Sequence, residues 1–171
     1  MVHHIFLTGD KQVGKSTLLQ KALLGYTKTI GGFYTVRTNQ FLQDSYSVHL
    51  YLPKEPPLAC QENLLFVCGE CTDSIPQRFN VLGCQALERA KNSSLILMDE
   101  LGRHEANAYK FRQAVLSQLE KDIPIVGVLQ HPAEIYWPEI VSHPKVQVLT
   151  ITKENREDPD LMKQIRSVIF L

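Results

Sequence analysis

The sequence predicts an α/β fold: a mostly parallel sheet flanked by helices, with a small antiparallel β insertion. Three observations carry this. Short apolar runs alternate with helical patterns through the second half of the chain, the rhythm of parallel strands joined by crossover helices. Ser94–Met98 (SLILM) is a continuous apolar run, as expected of a strand buried on both faces. Near the N-terminus, Val2–Thr8 reads as a strand running into Gly9-Asp10-Lys11-Gln12-Val13-Gly14-Lys15-Ser16, and Ser16–Leu24 reads as the helix that leaves it. That loop is a complete G-x-x-x-x-G-K-[ST] phosphate loop.

The elements follow in order. Gly25 is placed to end the first helix. Thr29–Arg37, rich in β-branched and aromatic residues, is a strand interrupted by Gly31-Gly32. Ser45–Leu52 alternates, with Tyr46, Val48, Leu50 and Leu52 on one side and Ser45, Ser47, His49 and Tyr51 on the other. This is the pattern of a half-buried strand antiparallel to its predecessor. Pro53, Pro56 and Pro57 end it. Leu64–Cys68 is a short strand. A loop runs through Cys71 to Gln77, and a helix starts at Phe79 or Asn80 and reaches Lys91.

Beyond Met98, Asp99-Glu100-Leu101-Gly102 closes the buried strand. A helix is expected from about Ala106 to Lys121, with Ala108, Phe111, Val115 and Leu119 on one face. Ile125–Leu129 and Val146–Ile151 are further strands. The loop between them contains Trp137, a core anchor or a mobile flap. Asp158 caps the last helix, Pro159 is its first residue, and Leu161, Ile165 and Val168 form its buried stripe. The 171 residues suit one domain, 1–171.

Composition narrows the function classes. Hydrophobic content is 44% and charged content 21%, both ordinary for a globular chain. Eighteen basic and 18 acidic residues balance, with no block of one sign, which argues against a general nucleic-acid or anionic-membrane surface. No apolar run approaches the roughly 20 residues that span a bilayer. The N-terminus lacks the pattern of a secretory signal, so the expected compartment is the cytoplasm, with Cys60, Cys68, Cys71 and Cys84 reduced. Cys68-Gly69-Glu70-Cys71 is a C-x-x-C, but no second one completes a zinc knuckle, so ordinary thiols are expected. His3 and His4 read as strand residues.

In parallel sheets of this kind ligands sit at the carboxyl ends of strands. Three polar clusters fall there: Gly9–Ser16, Asp99–Glu100 and Gln130. The glycines let backbone N–H groups converge on a phosphate, and the helix N-terminus adds partial positive charge. The nucleotide-binding set is Gly9, Asp10, Lys11, Gln12, Val13, Gly14, Lys15, Ser16 and Thr17. Lys15 reaches the β- and γ-phosphates, and Ser16 with Asp99 holds Mg²⁺. Glu100 faces another way along the strand and is the candidate base for an attacking water. Arg37 and Arg103 read either as charge stabilisers at the γ-phosphate or as surface arginines. Glu105 pairs with Arg103, closes a helix start or takes part in catalysis. Gln130 is a candidate γ-phosphate sensor. Asn155 and Arg156 lie where a base could rest, or form a plain surface loop.

The run LILMDELGRHE, with GDKQVGKST upstream, resembles the THEP-type nucleoside-triphosphatases. That family also shows a G-F-[WY]-T strand ending in Arg, here Gly32-Phe33-Tyr34-Thr35 with Arg37. Its last strand leads into T-x-E-N-R, here Thr152 to Arg156. The resemblance covers nearly the whole chain except 38–78. It implies a RecA-like phosphate-loop core and slow, Mg²⁺-dependent hydrolysis of ATP, GTP and other triphosphates. Relatives carry acidic residues between the Thr and the Arg, where this chain has only Val36. Two alternatives stay open: a nucleotide or small-molecule kinase using an acceptor pocket built by 38–78, and a nucleotide-switched binding module acting on a partner protein.

Overall fold

The structure is a computed structural model and describes residues 3–171. Val2, the expected start of the first strand, lies outside the described residues. Seven strands form one sheet: β1 (His4–Thr8), β2 (Ile30–Leu42), β3 (Ser45–Tyr51), β4 (Leu64–Val67), β5 (Leu95–Leu101), β6 (Ile125–Leu129) and β7 (Val146–Thr150). Their spatial order is β4-β3-β2-β5-β6-β1-β7. The β2-β5, β5-β6, β6-β1 and β1-β7 pairs are parallel, and β2-β3 and β3-β4 are antiparallel. The expected parallel sheet with an antiparallel insertion is therefore what the chain forms, and the insertion extends the same sheet.

The helices are α1 (Lys15–Ala22), α2 (Ser74–Arg78), α3 (Cys84–Arg89), α4 (Tyr109–Leu119), α5 (Ala133–Tyr136), α6 (Pro138–Val141) and α7 (Pro159–Ile169). Strand alternation divides the core between two faces of the sheet. Ile5, Leu7, Leu95, Leu97, Val126 and Val128 pack with α1 and α7. Phe6, Phe33, Ile96, Met98, Ile125 and Leu129 pack with α3, α4 and Trp137. A continuous apolar run is required because each central strand is covered twice. At the start of α7 the Asp158 side chain accepts from the Asp160 N–H at 2.9 Å, as a cap should.

Five elements differ from their sequence reading. Strand β2 runs on to Leu42, because a two-residue turn returns the chain at Ser45 and keeps the hairpin paired. The polar side of β3 is not solvated. Ser47 and His49 are fully buried, with Ser47 Oγ 2.8 Å from His49 Nε2 and His49 Nδ1 2.8 Å from Asn63 Oδ1. That chain of hydrogen bonds is what permits their burial. The segment after β4 turns helical at Ser74, earlier than read. Pro76 lies in the first turn of α2, where a missing N–H costs nothing. A π-helical turn, Phe79–Gly83, continues it into α3. Strand β5 extends through Asp99 and Glu100 to Leu101, which pairs with Leu129. Helix α4 starts at Tyr109, not Ala106; Arg103–Ala108 instead forms successive turns. Among the described residues no helix is long and apolar enough to cross a membrane.

Candidate nucleotide site

The loop between β1 and α1 is shaped by its backbone. Gly14 has φ of +99°, a left-handed conformation that glycine adopts without a Cβ penalty, and it stands immediately before the first residue of α1. Val13 is buried in the core behind the loop, so it offers a ligand only its backbone. Lys15 Nζ folds back over the loop and donates to the carbonyls of Gly9 and Asp10, both at 2.8 Å. Burial lowers its pKa, and the carboxylates of Glu100, Asp99 and Asp10 oppose that shift. An anion in the loop would give this cation a stronger partner than two carbonyls.

Strand β5 brings two carboxylates to the same place in different environments. Asp99 is buried and accepts from Ser16 Oγ at 2.9 Å. Desolvation raises its pKa to about 6, with the Ser16 hydrogen bond and Lys15 pulling down and Glu100 pushing up. Glu100 is exposed in the open cleft. Desolvation raises its pKa too, against the pull of Lys15 and Lys11. Its backbone N–H lies 3.4 Å from Thr35 Oγ1 on β2.

The turns after β5 are tied down by three side chains. The buried Glu105 carboxylate accepts from the Gly102 N–H, and burial lifts its pKa to about 7. Trp137 is fully buried, and its Nε1 donates to the Gly102 carbonyl at 3.2 Å. It is a core anchor with the Arg112 guanidinium 4.1 Å from its ring, not a flap. Gln130 Oε1 accepts from the Arg103 N–H at 3.0 Å, so its amide oxygen is committed to holding this loop. Glu105 therefore binds the backbone of the turn; among the described ion pairs none joins it to Arg103.

These groups face one cleft of about 900 Å³ that crosses the carboxyl ends of the strands. The phosphate loop from Gly9 to Thr17, Asp99, Glu100, Arg37, Arg103, Gln130 and Glu105 all line it, except that Val13 does not. A smaller recess of about 370 Å³ opens on the other side of the loop, between Gln12, Gly14, Thr17 and Arg156. Asn155 is not among its walls. Its side chain closes its own loop instead, accepting from the Thr152 N–H at 2.8 Å and donating to the Thr150 carbonyl at 2.9 Å. The sequence reading missed Thr35, Val48, Phe66, Phe79 and His104, which also line the cleft. Thr35 and His104 lie within the motifs that carry the family resemblance, and Val48 within an alternating strand, but none of these signals marked them as cleft residues.

A phosphate loop with a buried carboxylate on its serine and a second carboxylate beside it, on a parallel sheet, defines the class of phosphate-loop nucleotide-binding proteins. The family model described as NTPase matches residues 4–166, and the chain belongs to that family. It is 32% identical to the nucleoside-triphosphatase THEP1 of Methanocaldococcus jannaschii over 161 residues, covering 90% of each chain. It is 29% identical to the cancer-related nucleoside-triphosphatase of Homo sapiens over 191 residues, covering 98% of each. The crystal structure of THEP1 from Aquifex aeolicus superposes with a TM-score of 0.68 at 22% identity, covering 97% of this chain and 98% of that one. The fold is the same.

Proposed function

We propose that the chain hydrolyses nucleoside triphosphates, ATP and GTP among them, to the diphosphate and inorganic phosphate, with Mg²⁺ as cofactor. The observation that carries this reading is the division between Asp99 and Glu100. One carboxylate is buried on the Ser16 hydroxyl and the other is open to the cleft beside Lys15. Naming of several relatives as nucleoside-triphosphatases supports it.

In this reading the N–H groups of the phosphate loop and the Lys15 ammonium hold the phosphates. Ser16 and Asp99 are the residues that would hold Mg²⁺. The fit is chemical: both are hard oxygen donors, already in contact, and a carboxylate pushed up by burial gains from a cation. When bound, the ion neutralises charge on the phosphate oxygens. Glu100 accepts the proton of a water whose oxygen forms the new bond to the γ-phosphorus, while the bond from that phosphorus to the bridging oxygen breaks. Arg37 and Arg103, exposed on the walls of the same cleft, supply positive charge to the γ-phosphoryl group. Arg156 supports the base in the recess beside Gly14, and Asn155 acts by shaping the loop that presents it. The whole chain acts as one domain, in the reducing cytoplasm that four free thiols suit.

The test is phosphate release from ATP and from GTP by the protein alone, with Mg²⁺ and then with EDTA. Release with Mg²⁺ that EDTA stops is the expected result. No release from any triphosphate would overturn the reading.

A further inference from the structure

The cleft is larger than its phosphate end needs. The sheet order puts the phosphate loop on β1, and the Arg156 recess lies on the β7 side of it. A nucleotide placed there runs from that recess over the loop toward Asp99 on β5. The cleft continues past Glu100 in the same direction, over β2, β3 and β4. Strand register places Arg37 beside Val48 and Val48 beside Phe66, in one row across those three strands. Phe79 and Cys68 line the cleft as well, with the Phe79 ring centroid 6.4 Å from that of Phe66. The His104 ring lies over Phe66, with centroids 4.1 Å apart and planes 30° apart.

The walls of this outer lobe of the cleft are apolar and aromatic, and the charged side chains at its lip are the cations Arg37 and Arg103 together with the Glu100 carboxylate. Burial and the nearby cations Arg103 and Lys11 lower the pKa of His104, so its ring is a neutral, flat surface in a positive field. A water or a γ-phosphate makes no use of an aromatic wall. An apolar cleft with a few convergent polar groups is the form of a small-molecule site. From this juxtaposition we propose that the outer lobe is a second ligand subsite, adjoining the γ-phosphate position, for a flat aromatic molecule bearing one acidic group. The aromatic body lies along Val48, Phe66 and His104, and the acid reaches Arg37 or Arg103. The subsite rests on the nucleotide reading, because it is the part of the cleft that a triphosphate leaves free.

The test uses the full chain and 2-naphthoate as probe. A fluorescent non-hydrolysable triphosphate analogue with Mg²⁺ is titrated first; failure to bind would count against the nucleotide reading, and with it against this one. With the analogue saturating, calorimetry should show one naphthoate site per chain, and neutral 2-naphthamide should bind about tenfold more weakly or worse, the loss expected for a charge-assisted hydrogen bond. Val48→Trp and Cys68→Trp, which fill the lobe, should each remove the naphthoate signal and leave the analogue titration unchanged. A measurement without substitution accompanies them. Naphthoate should protect Cys68 from iodoacetamide while the exposed Cys71 stays reactive, and the analogue alone should protect neither. Displacement of naphthoate by the analogue, equal binding of acid and amide, or binding with no protection of Cys68 would overturn the proposal.

Discussion

The two ends of the cleft are built on different principles. At the proposed phosphate end the groups are near neighbours in the chain: one loop carries the N–H groups, Lys15 and Ser16, and one strand end carries Asp99 and Glu100. At the aromatic end, each wall residue comes from a different element, and only strand register and helix packing bring Arg37, Val48, Phe66, Phe79 and His104 together. The first kind of site is fixed by local backbone geometry and tolerates drift elsewhere. The second exists only while the antiparallel part of the sheet holds its register against β5.

Lys15→Ala should have the largest effect, and it confines the damage to the phosphate end. The ammonium is the buried cation beside Glu100, Asp99 and Asp10, and its loss leaves the loop without its fixed positive charge. Triphosphate binding and hydrolysis should fall by more than about 100-fold, as for a lost preorganised donor, with the melting temperature little changed. Titration and phosphate release on the same sample check this. Wild-type turnover would break the assignment of the phosphate end.

Glu100→Gln comes next and divides that end into binding and chemistry. The amide keeps the shape but cannot accept a proton. Nucleotide affinity should stay within a few-fold, while single-turnover hydrolysis should drop by roughly 10²–10⁴. Lost affinity would move Glu100 into the metal site.

Gly32→Ala strikes the seam between the two ends. Gly32 lies on β2 with φ of +91°, and a Cβ there would collide with the Leu97 carbonyl oxygen on β5. Left-handed strain and the collision together should cost roughly 3 kcal/mol, seen as a lower denaturation midpoint. If the outer strands depend on this seam as argued, Cys68 should also become more reactive. A variant as stable as the parent would mean the seam is looser than its geometry implies.

The same distinction explains what could be read from the sequence. The parallel strands, α7 with its Asp158 cap, and the phosphate-end residues announce themselves through spacing, because each depends on neighbours in the chain. The outer walls do not. Phe66 looks like any core aromatic until β4 is placed beside β3, and Ser47 and His49 look solvated until Asn63 is folded over them. Pro76 reads as a loop marker because composition cannot say that it will lie in a first helical turn. Asn155 illustrates the reverse: a polar residue after a strand looks available to a ligand, and only its two backbone hydrogen bonds show that it is spent within its loop.

The last expected effect, which fades toward pH 5, is the most diagnostic of how the two ends are joined. Glu105 is buried under the turns that link Asp99 and Glu100 to His104, and it holds them through the Gly102 N–H. Its pKa rises from 4.5 to about 7, chiefly from desolvation, with Glu100 adding to the rise and the Gly102 hydrogen bond and Arg112 opposing it. A carboxyl with a raised folded-state pKa keeps its proton in the folded state where the unfolded chain has lost it. Below about pH 4.5 both states are protonated, and the group contributes no pH dependence. As pH rises from there to about 7, the unfolded state releases the proton first and stability falls; above about 7 the loss is complete. The full loss is roughly 3 kcal/mol, from the linkage between a pKa difference and free energy. Glu105→Gln keeps an oxygen to accept from Gly102 and has no proton to lose. At pH 8 the variant should melt higher than the parent by roughly 5–10 °C, and near pH 5 the two should nearly coincide. Thermal unfolding at both pH values without nucleotide reads this directly. An equal difference at both pH values, or a less stable variant at pH 8, would mean that the carboxylate is held ionised by its partners, and that the link between the two ends is a charged one.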